Sequence, residues 1–235
     1  MPFIFRPVLI IAAVVPAVIL MIYVYRADRL EGEPPQLLWR LFLAGLAATF
    51  LASLTEQLGS LVLSWFTYSD PRVYYFLLYF LVVAGSEEGF KYLLMKQQTW
   101  YSESFNCQYD AIVYAVFVSL GFALLENVQY VLIYGFGTAM LRAVTAVPGH
   151  ACFGVFMGVW YGMAKKNDNY GYPQRSRFFR VLSLLIPLLL HGFYDYVASM
   201  EEDSYTTVFI VFIALMFLTS FLLVRRFSRH DSYID

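Results

Sequence analysis

Charge is scarce in this chain. Asp, Glu, Lys and Arg together supply 14% of its 235 residues, against 60% hydrophobic. Soluble domains carry about 25% charged residues, so a water-facing globular domain is excluded. The net charge of −1 leaves no basic excess, and no nucleic-acid partner is expected. Cysteine is almost absent: Cys107 and Cys152 show neither metal-ligand spacing nor a disulfide framework. Cys152 falls in an apolar run and reads as packing. Also missing are the His-Glu-x-x-His helix of zincins, any internal repeat, any low-complexity tract and any second domain. Residues 1–235 therefore read as one integral membrane domain with its motif-bearing core at 73–200.

What the chain has instead is apolar runs of spanning length, about 20 residues each. The expected fold is all-α, a polytopic transmembrane helical bundle of about seven spans. The spans are placed at Phe3–Tyr25, Leu37–Trp65, Val73–Met95, Asp110–Tyr134, Thr138–Ala164, Val181–Met200 and Thr206–Val224. The first is longer than a signal peptide's apolar region, and no small-residue cleavage pattern follows it, so it reads as retained. The second is interrupted by Thr55-Glu56-Gln57, and a break there would make eight spans. Polar loops are expected at Arg26–Gln36, Gln97–Gln108 and Lys165–Arg180, with tight turns at Ser69-Asp70-Pro71 and Gly135-Phe136-Gly137 and an acidic one at Glu201-Glu202-Asp203.

Basic residues divide unevenly between the two ends of the spans. One side holds Arg26, Arg29, Lys96, Lys165, Lys166, Arg175, Arg177, Arg180, Arg225, Arg226 and Arg229, with Arg40 just inside its span; the other holds Arg6, Arg72 and Arg142. The positive-inside rule places the N-terminus outside and the C-terminus in the cytoplasm.

Within the spans, seven ionisable groups stand out: Glu87, Glu88, Lys91, Glu126, His150, His191 and Asp195. Each charge at mid-membrane costs roughly 2.5–3.5 kcal/mol on insertion scales, so such groups usually mark a pathway or an active site. Glu87 and Lys91 share a helix face, as do His191 and Asp195. Taken alone, the Glu-Glu-Lys stretch could be a structural ion pair. Four consecutive spans bringing such groups to similar depth point instead to an enclosed polar cavity. Pro148-Gly149 is expected to bend the helix at His150. Asn127 and Gln129 suit interhelical hydrogen bonds, and Arg142 suits an interfacial anchor or a partner for Glu126. Glu56 stays unassigned.

These residues fall into motifs. Glu87-Glu88-Gly89-Phe90-Lys91 resembles the Glu-Glu-x-x-Lys motif of the PrsW family of intramembrane proteases. Gly121-Phe122-Ala123-Leu124-Leu125-Glu126-Asn127 is similar to its Phe-x-x-x-Glu-Asn motif. Arg142 with His150-Ala151-x-Phe153-Gly154 is similar to its third motif, and His191-Gly192-Phe193-Tyr194-Asp195 to its His-x-x-x-Asp motif. In the wider superfamily, the CAAX prenyl proteases carry His where this chain has Glu126. The resemblance implies an intramembrane peptidase of a bacterial cell membrane, acting at site 1 on a membrane-anchored protein such as an anti-sigma factor in a stress response.

On that reading Glu87 is the general base on water, Glu88 and Lys91 set its charge state, and Glu126 and His150 help hold the water. His191 and Asp195 stabilise the oxyanion or protonate the leaving amine, with Lys91, Asn127 and Arg142 in support. No cofactor is required. A metalloprotease variant would place zinc on His150, His191 and Glu126. The expected partners are a single-span substrate and the lipid bilayer. A proton- or ion-coupled transporter could use the same groups as a relay, but no repeated half or matched broken spans support it. A non-catalytic scaffold would have little use for both glutamates and both histidines.

Overall fold

The computed structural model describes residues 5–66, 68–200 and 202–234. Phe3, the expected start of the first span, and Glu201 of the acidic turn lie outside the described residues. The chain is all-α: α1 (Phe5–Ala27), α2 (Pro35–Ser64), α3 (Pro71–Leu77), a π-helical segment (Leu78–Val83), α4 (Ala84–Thr99), α5 (Asp110–Tyr134), α6 (Phe136–Val144), α7 (Ala146–Asn169), α8 (Pro173–Ala198) and α9 (Asp203–Arg229). Among the described residues, seven segments are long and apolar enough to cross a membrane.

Helices α5 and α7 form the centre. Ile112, Val113, Val116 and Leu120 of α5 pack against Val147, Ala151, Val155 and Val159 of α7, with Met21 and Val24 of α1 closing the cluster. Both helices are apolar around most of their circumference, as helices buried on several sides must be. Their backbones come close because Gly158 presents no side chain: a Cβ there would lie 2.5 Å from Ile112 Cα. Small residues serve this role in membrane bundles, where dispersion between backbones replaces the missing hydrophobic drive.

The structure keeps the second span whole, in line with the expected seven spans, and departs from the sequence expectations at three other places. The second span does not break at Thr55-Glu56-Gln57, and α2 runs unbroken to Ser64. Thr55 Oγ1 donates back to Leu51 O at 2.8 Å, and Glu56 Oε1 accepts from Ser86 Oγ at 3.3 Å, so the polar groups are satisfied without interrupting the helix. The count is therefore seven rather than eight.

The third span is longer, from Pro71 to Thr99, and changes pitch on the way. Asp70 caps it by accepting from Arg72 N at 2.9 Å. The six residues Leu78–Val83 then form a π-helix. This wider turn sits just before the acidic pair and resets the face on which Glu87 emerges.

The fifth span bends at Thr145 (φ −120, ψ −71), not at Pro148-Gly149. Pro148 is the third residue of α7, where no intrahelical partner awaits its missing N–H, so it costs nothing there. Finally, Lys165–Arg180 is mostly helix. Only Tyr170–Tyr172 turn the chain, with Gly171 at φ 75. Long basic side chains at helix ends reach water from within the helix, which made the loop look longer than it is.

Candidate functional site

The spacing of α4 builds the first half of the site. Lys91 follows Glu87 by four residues and Glu88 by three, so its side chain reaches back to both. Lys91 Nζ lies 3.1 Å from Glu87 Oε2 and 2.8 Å from Glu88 Oε1. It also stands 3.2 Å from His150 Nδ1 of α7 and 3.9 Å above the Phe122 ring of α5. Lys91 is fully buried, and these partners use all three of its protons.

Helix α8 supplies the second half. His191 Nδ1 is 2.9 Å from Glu88 Oε1; its Nε2 is 3.3 Å from Asp195 Oδ2 and 3.8 Å from Glu87 Oε2. Both ring nitrogens therefore face carboxylates and can donate to them. Phe153 of α7 stacks on His191 at 4.6 Å between ring centres and holds its plane.

Glu126 of α5 is fixed from two sides. Arg142 Nη2 of α6 donates to its Oε2 at 2.6 Å, and His150 Nε2 contacts the same oxygen at 3.0 Å. Asn127 accepts from Arg142 Nε at 3.2 Å and donates to Ala13 O at 3.0 Å, joining α1, α5 and α6. Arg142 is thus the partner of Glu126, and Asn127 makes the expected interhelical bonds. Gln129 is exposed.

A cavity of about 180 Å³ opens among these groups. Glu87, Glu126, Arg142, His150, His191 and Asp195 line it, along with Glu56, Tyr79, Tyr130 and Tyr194. Glu88 and Lys91 do not line it; they sit behind the wall. Glu56 was legible as an ionisable residue inside an apolar run. The three tyrosines gave no signal among nineteen in the chain.

The donor chemistry suits a zinc-type ion. Glu87, Glu88, His150 and His191 each offer a ligand atom, and these atoms all lie within 4.8 Å of one another. Imidazole nitrogen with carboxylate oxygen is a zinc donor set. Glu88 Oε2 is buried without a hydrogen-bond partner, an orphan that a cation would satisfy. Glu126 stands beside this group, its Oε2 already taken by Arg142 and His150.

Residues 33–223 match the family described as PrsW family intramembrane metalloprotease. A Protease PrsW of Oceanobacillus iheyensis is 34% identical over 215 residues, covering 92% of this chain and 94% of its own length. That of Geobacillus kaustophilus is 35% identical over 194 residues, covering 83% and 81%. That of Bacillus subtilis is 31% identical over 207 residues, covering 87% and 90%. No solved structure matches. With the match running over most of its length, this multi-pass chain belongs to the PrsW family of intramembrane metalloproteases and is a hydrolase of peptide bonds.

Proposed function

We propose that the chain is one catalytic unit that cleaves a single-span membrane protein at the cavity between α4, α5, α7 and α8, as the site-1 step that releases an anti-sigma factor. The observation that carries this is the cavity itself: seven acidic or basic side chains from five spans around one polar space. Its depth fits cleavage near one membrane face. Glu126 lies 16 residues into α5 and eight from its end, roughly 24 Å and 12 Å along the axis. The Lys and Arg bias makes the nearer end the outer one.

His150 and His191, with Glu88 from the acidic pair, would hold the metal. When bound there it would supply an acidified water and polarise the scissile carbonyl. The remaining work falls to the chain. Glu87, facing the cavity, takes the proton from the attacking water. Glu88 is a fixed anion that carries Lys91 and His191. Glu126, locked by Arg142, orients the His150 ring. Asp195 orients His191, and the Tyr79, Tyr130 and Tyr194 hydroxyls offer donors to a developing oxyanion.

Lys91 favours a second reading. Its ammonium lies between Glu87, Glu88 and His150, and puts one positive charge where a divalent metal would put two. A carboxylate-based hydrolase without metal would need no displacement of Lys91.

The substrate helix would reach the site from an apolar groove of about 450 Å³ lined by Gly59 of α2 and by Gly85, Ser86 and Gly89 of α4. Ser86 and Glu56 form the wall between groove and cavity.

The test is co-expression with candidate single-span substrates, comparing the parent with His150→Ala and Glu87→Gln at equal amounts of folded enzyme. Metal content and activity after exhaustive chelation separate the two readings. Stoichiometric zinc, with activity lost to chelator and restored by zinc, supports the first. Full activity in metal-free enzyme supports the second. Cleavage by both variants would remove the proposal.

A further inference from the structure

A second cluster of acids lies at the opposite end of the bundle, away from the cavity. Asp28 follows α1, Glu33 precedes α2, Asp110 opens α5, and Asp231 belongs to the tail after α9. One ligand atom each of Asp28, Glu33 and Asp110 lie within 4.8 Å of one another, and so do those of Cys107, Asp110 and Asp231. Asp110 is common to both groups and fully buried.

Hydrogen bonding accounts for only part of these carboxylates. Asp110 Oδ2 accepts from Asn106 N at 3.1 Å and Cys107 N at 2.6 Å, while its Oδ1 is buried with no partner. Asp231 Oδ1 accepts from Tyr109 N and Ser232 N, both at 2.9 Å, and its Oδ2 is likewise orphaned. Glu33 Oε2 accepts from Tyr114 Oη at 2.8 Å. Neither oxygen of Asp28 has a partner, nor does Asn106 Oδ1. Among the described residues, no Lys, Arg or His forms an ion pair with any of the four acids.

Buried polar atoms are rarely left unsatisfied, and buried charges are paired or coordinate metals. Here five oxygens from four residues stand unpartnered around one fully buried aspartate. Burial, and after it the neighbouring Asp231, pushes the Asp28 carboxyl up to about 6. Burial pushes Glu33 up to about 7. Both shifts run in the direction expected of acids gathered without a counter-charge.

We propose that Asp28, Glu33 and Asp110, with Asp231, form a binding site for a hard divalent cation of the Mg²⁺, Mn²⁺ or Ca²⁺ class, separate from the catalytic cavity. An all-oxygen set of carboxylates is what such ions take. The single thiol of Cys107 does not make a zinc site by itself. The ion would staple three segments remote in sequence: the α1–α2 link, the α4–α5 link and the C-terminal tail. The tail is seated there already. Ile234 N donates to Asn106 O at 2.8 Å, Gln108 N to Ser232 O at 3.3 Å, and the Ile234 side chain is fully buried.

The test uses the full-length chain in detergent, stripped with chelator and then given MgCl₂, MnCl₂ or CaCl₂, with ZnCl₂ as a comparison, against NaCl of equal ionic strength. A cation at about 100 times its Kd should raise Tm by about 5–10 °C for a chain of this size. Asp28→Asn removes a charge and keeps an oxygen for the neighbouring Arg29 and Leu30 amides, so it should fold and lose most of that rise; Asp110→Asn is the harsher second variant. Tb³⁺ luminescence, sensitised through Tyr114 beside Glu33, gives a binding readout that does not depend on unfolding. No rise above the salt control with any of the three ions overturns the proposal. So does a rise that both variants retain, which would place the ion elsewhere. A rise with zinc alone would move the site to Cys107 and overturn the hard-cation assignment.

Discussion

Lys91 Nζ and His150 Nδ1 meet at 3.2 Å inside the bundle, joining α4 to α7. The ammonium donates, so Nδ1 supplies a lone pair and the ring proton lies on Nε2, facing Glu126 Oε2 at 3.0 Å. One contact thus fixes a tautomer, a ring orientation and the charge on both sides of the cavity wall.

Lys91→Met should cost more in folding than in chemistry. It leaves Glu87 and Glu88 without their shared counter-charge, and breaking a buried pair typically costs about 3–5 kcal/mol. Less folded protein should accumulate, and its Tm should fall. Adding Glu88→Gln should recover part of the loss by removing one unpaired anion. Normal accumulation and Tm of Lys91→Met would show that the ammonium is dispensable to the fold.

Glu87 and Glu88, adjacent in sequence, should separate in behaviour. Glu87 lines the cavity while Glu88 sits fully buried behind it. Glu87→Gln should keep the protein folded and substrate co-purifying, with turnover reduced by about 10²–10⁴, the usual contribution of a general base. Glu88→Gln should lower Tm, because Glu88 Oε1 holds both Lys91 and His191, and on the metal-bound reading it should also lower metal content, which Glu87→Gln should not. The measurements are cleavage per folded enzyme and Tm for each variant. The reverse pattern would exchange the two roles.

Much of this site was legible in the sequence, because charge inside an apolar span is costly and therefore conspicuous. Glu87, Glu126, His150, His191 and Asp195 stood out by that rule, and helical spacing paired Lys91 with both glutamates. Local pattern said less about conformation. Pro148 suggested a bend, yet its place in the first turn of α7 makes it harmless, and the bend falls at Thr145, which carries no such signal. The π-helix at Leu78–Val83 is an apolar run like any other. The acids at Asp28, Glu33, Asp110 and Asp231 read as loop and terminal residues, since only the fold brings positions 28 and 231 together.

Sidedness can be read with single cysteines, since Cys107 and Cys152 are both buried and should contribute little background. Tyr172→Cys, exposed in the turn between α7 and α8, should resist an impermeant thiol reagent in intact cells and label after lysis. Glu202→Cys, at the start of α9, should label in intact cells. The inverse result would reverse the orientation and move the cavity to the cytoplasmic face.

The groove beside α4 gives a prediction that separates docking from chemistry. Gly89 lies within the acidic motif but lines the outer groove, and a Cβ built on it meets nothing within 4 Å. Gly89→Leu should therefore fold without clash. It should even gain slightly in helix stability, since Gly is about 0.8–1.0 kcal/mol poorer than Ala in a helix interior and Leu ranks just below Ala. The added side chain would, however, fill the space a substrate helix needs for close approach, which in membranes depends on small residues at the contact. Cleavage of a membrane-anchored substrate should fall at least about tenfold, since 1.4 kcal/mol of lost packing is enough for that. Tm and hydrolysis of a short soluble peptide bearing the same scissile sequence should stay unchanged, because the peptide need not pass the groove. Gly192→Ala is the contrasting variant. Its Cβ would lie 2.7 Å from Phe80 Cδ1 and 3.0 Å from Phe80 Cα, so it should lower Tm and impair both substrates together. Equal losses for both substrates in Gly89→Leu, or no loss for either, would rule out the groove as the path by which the substrate helix arrives.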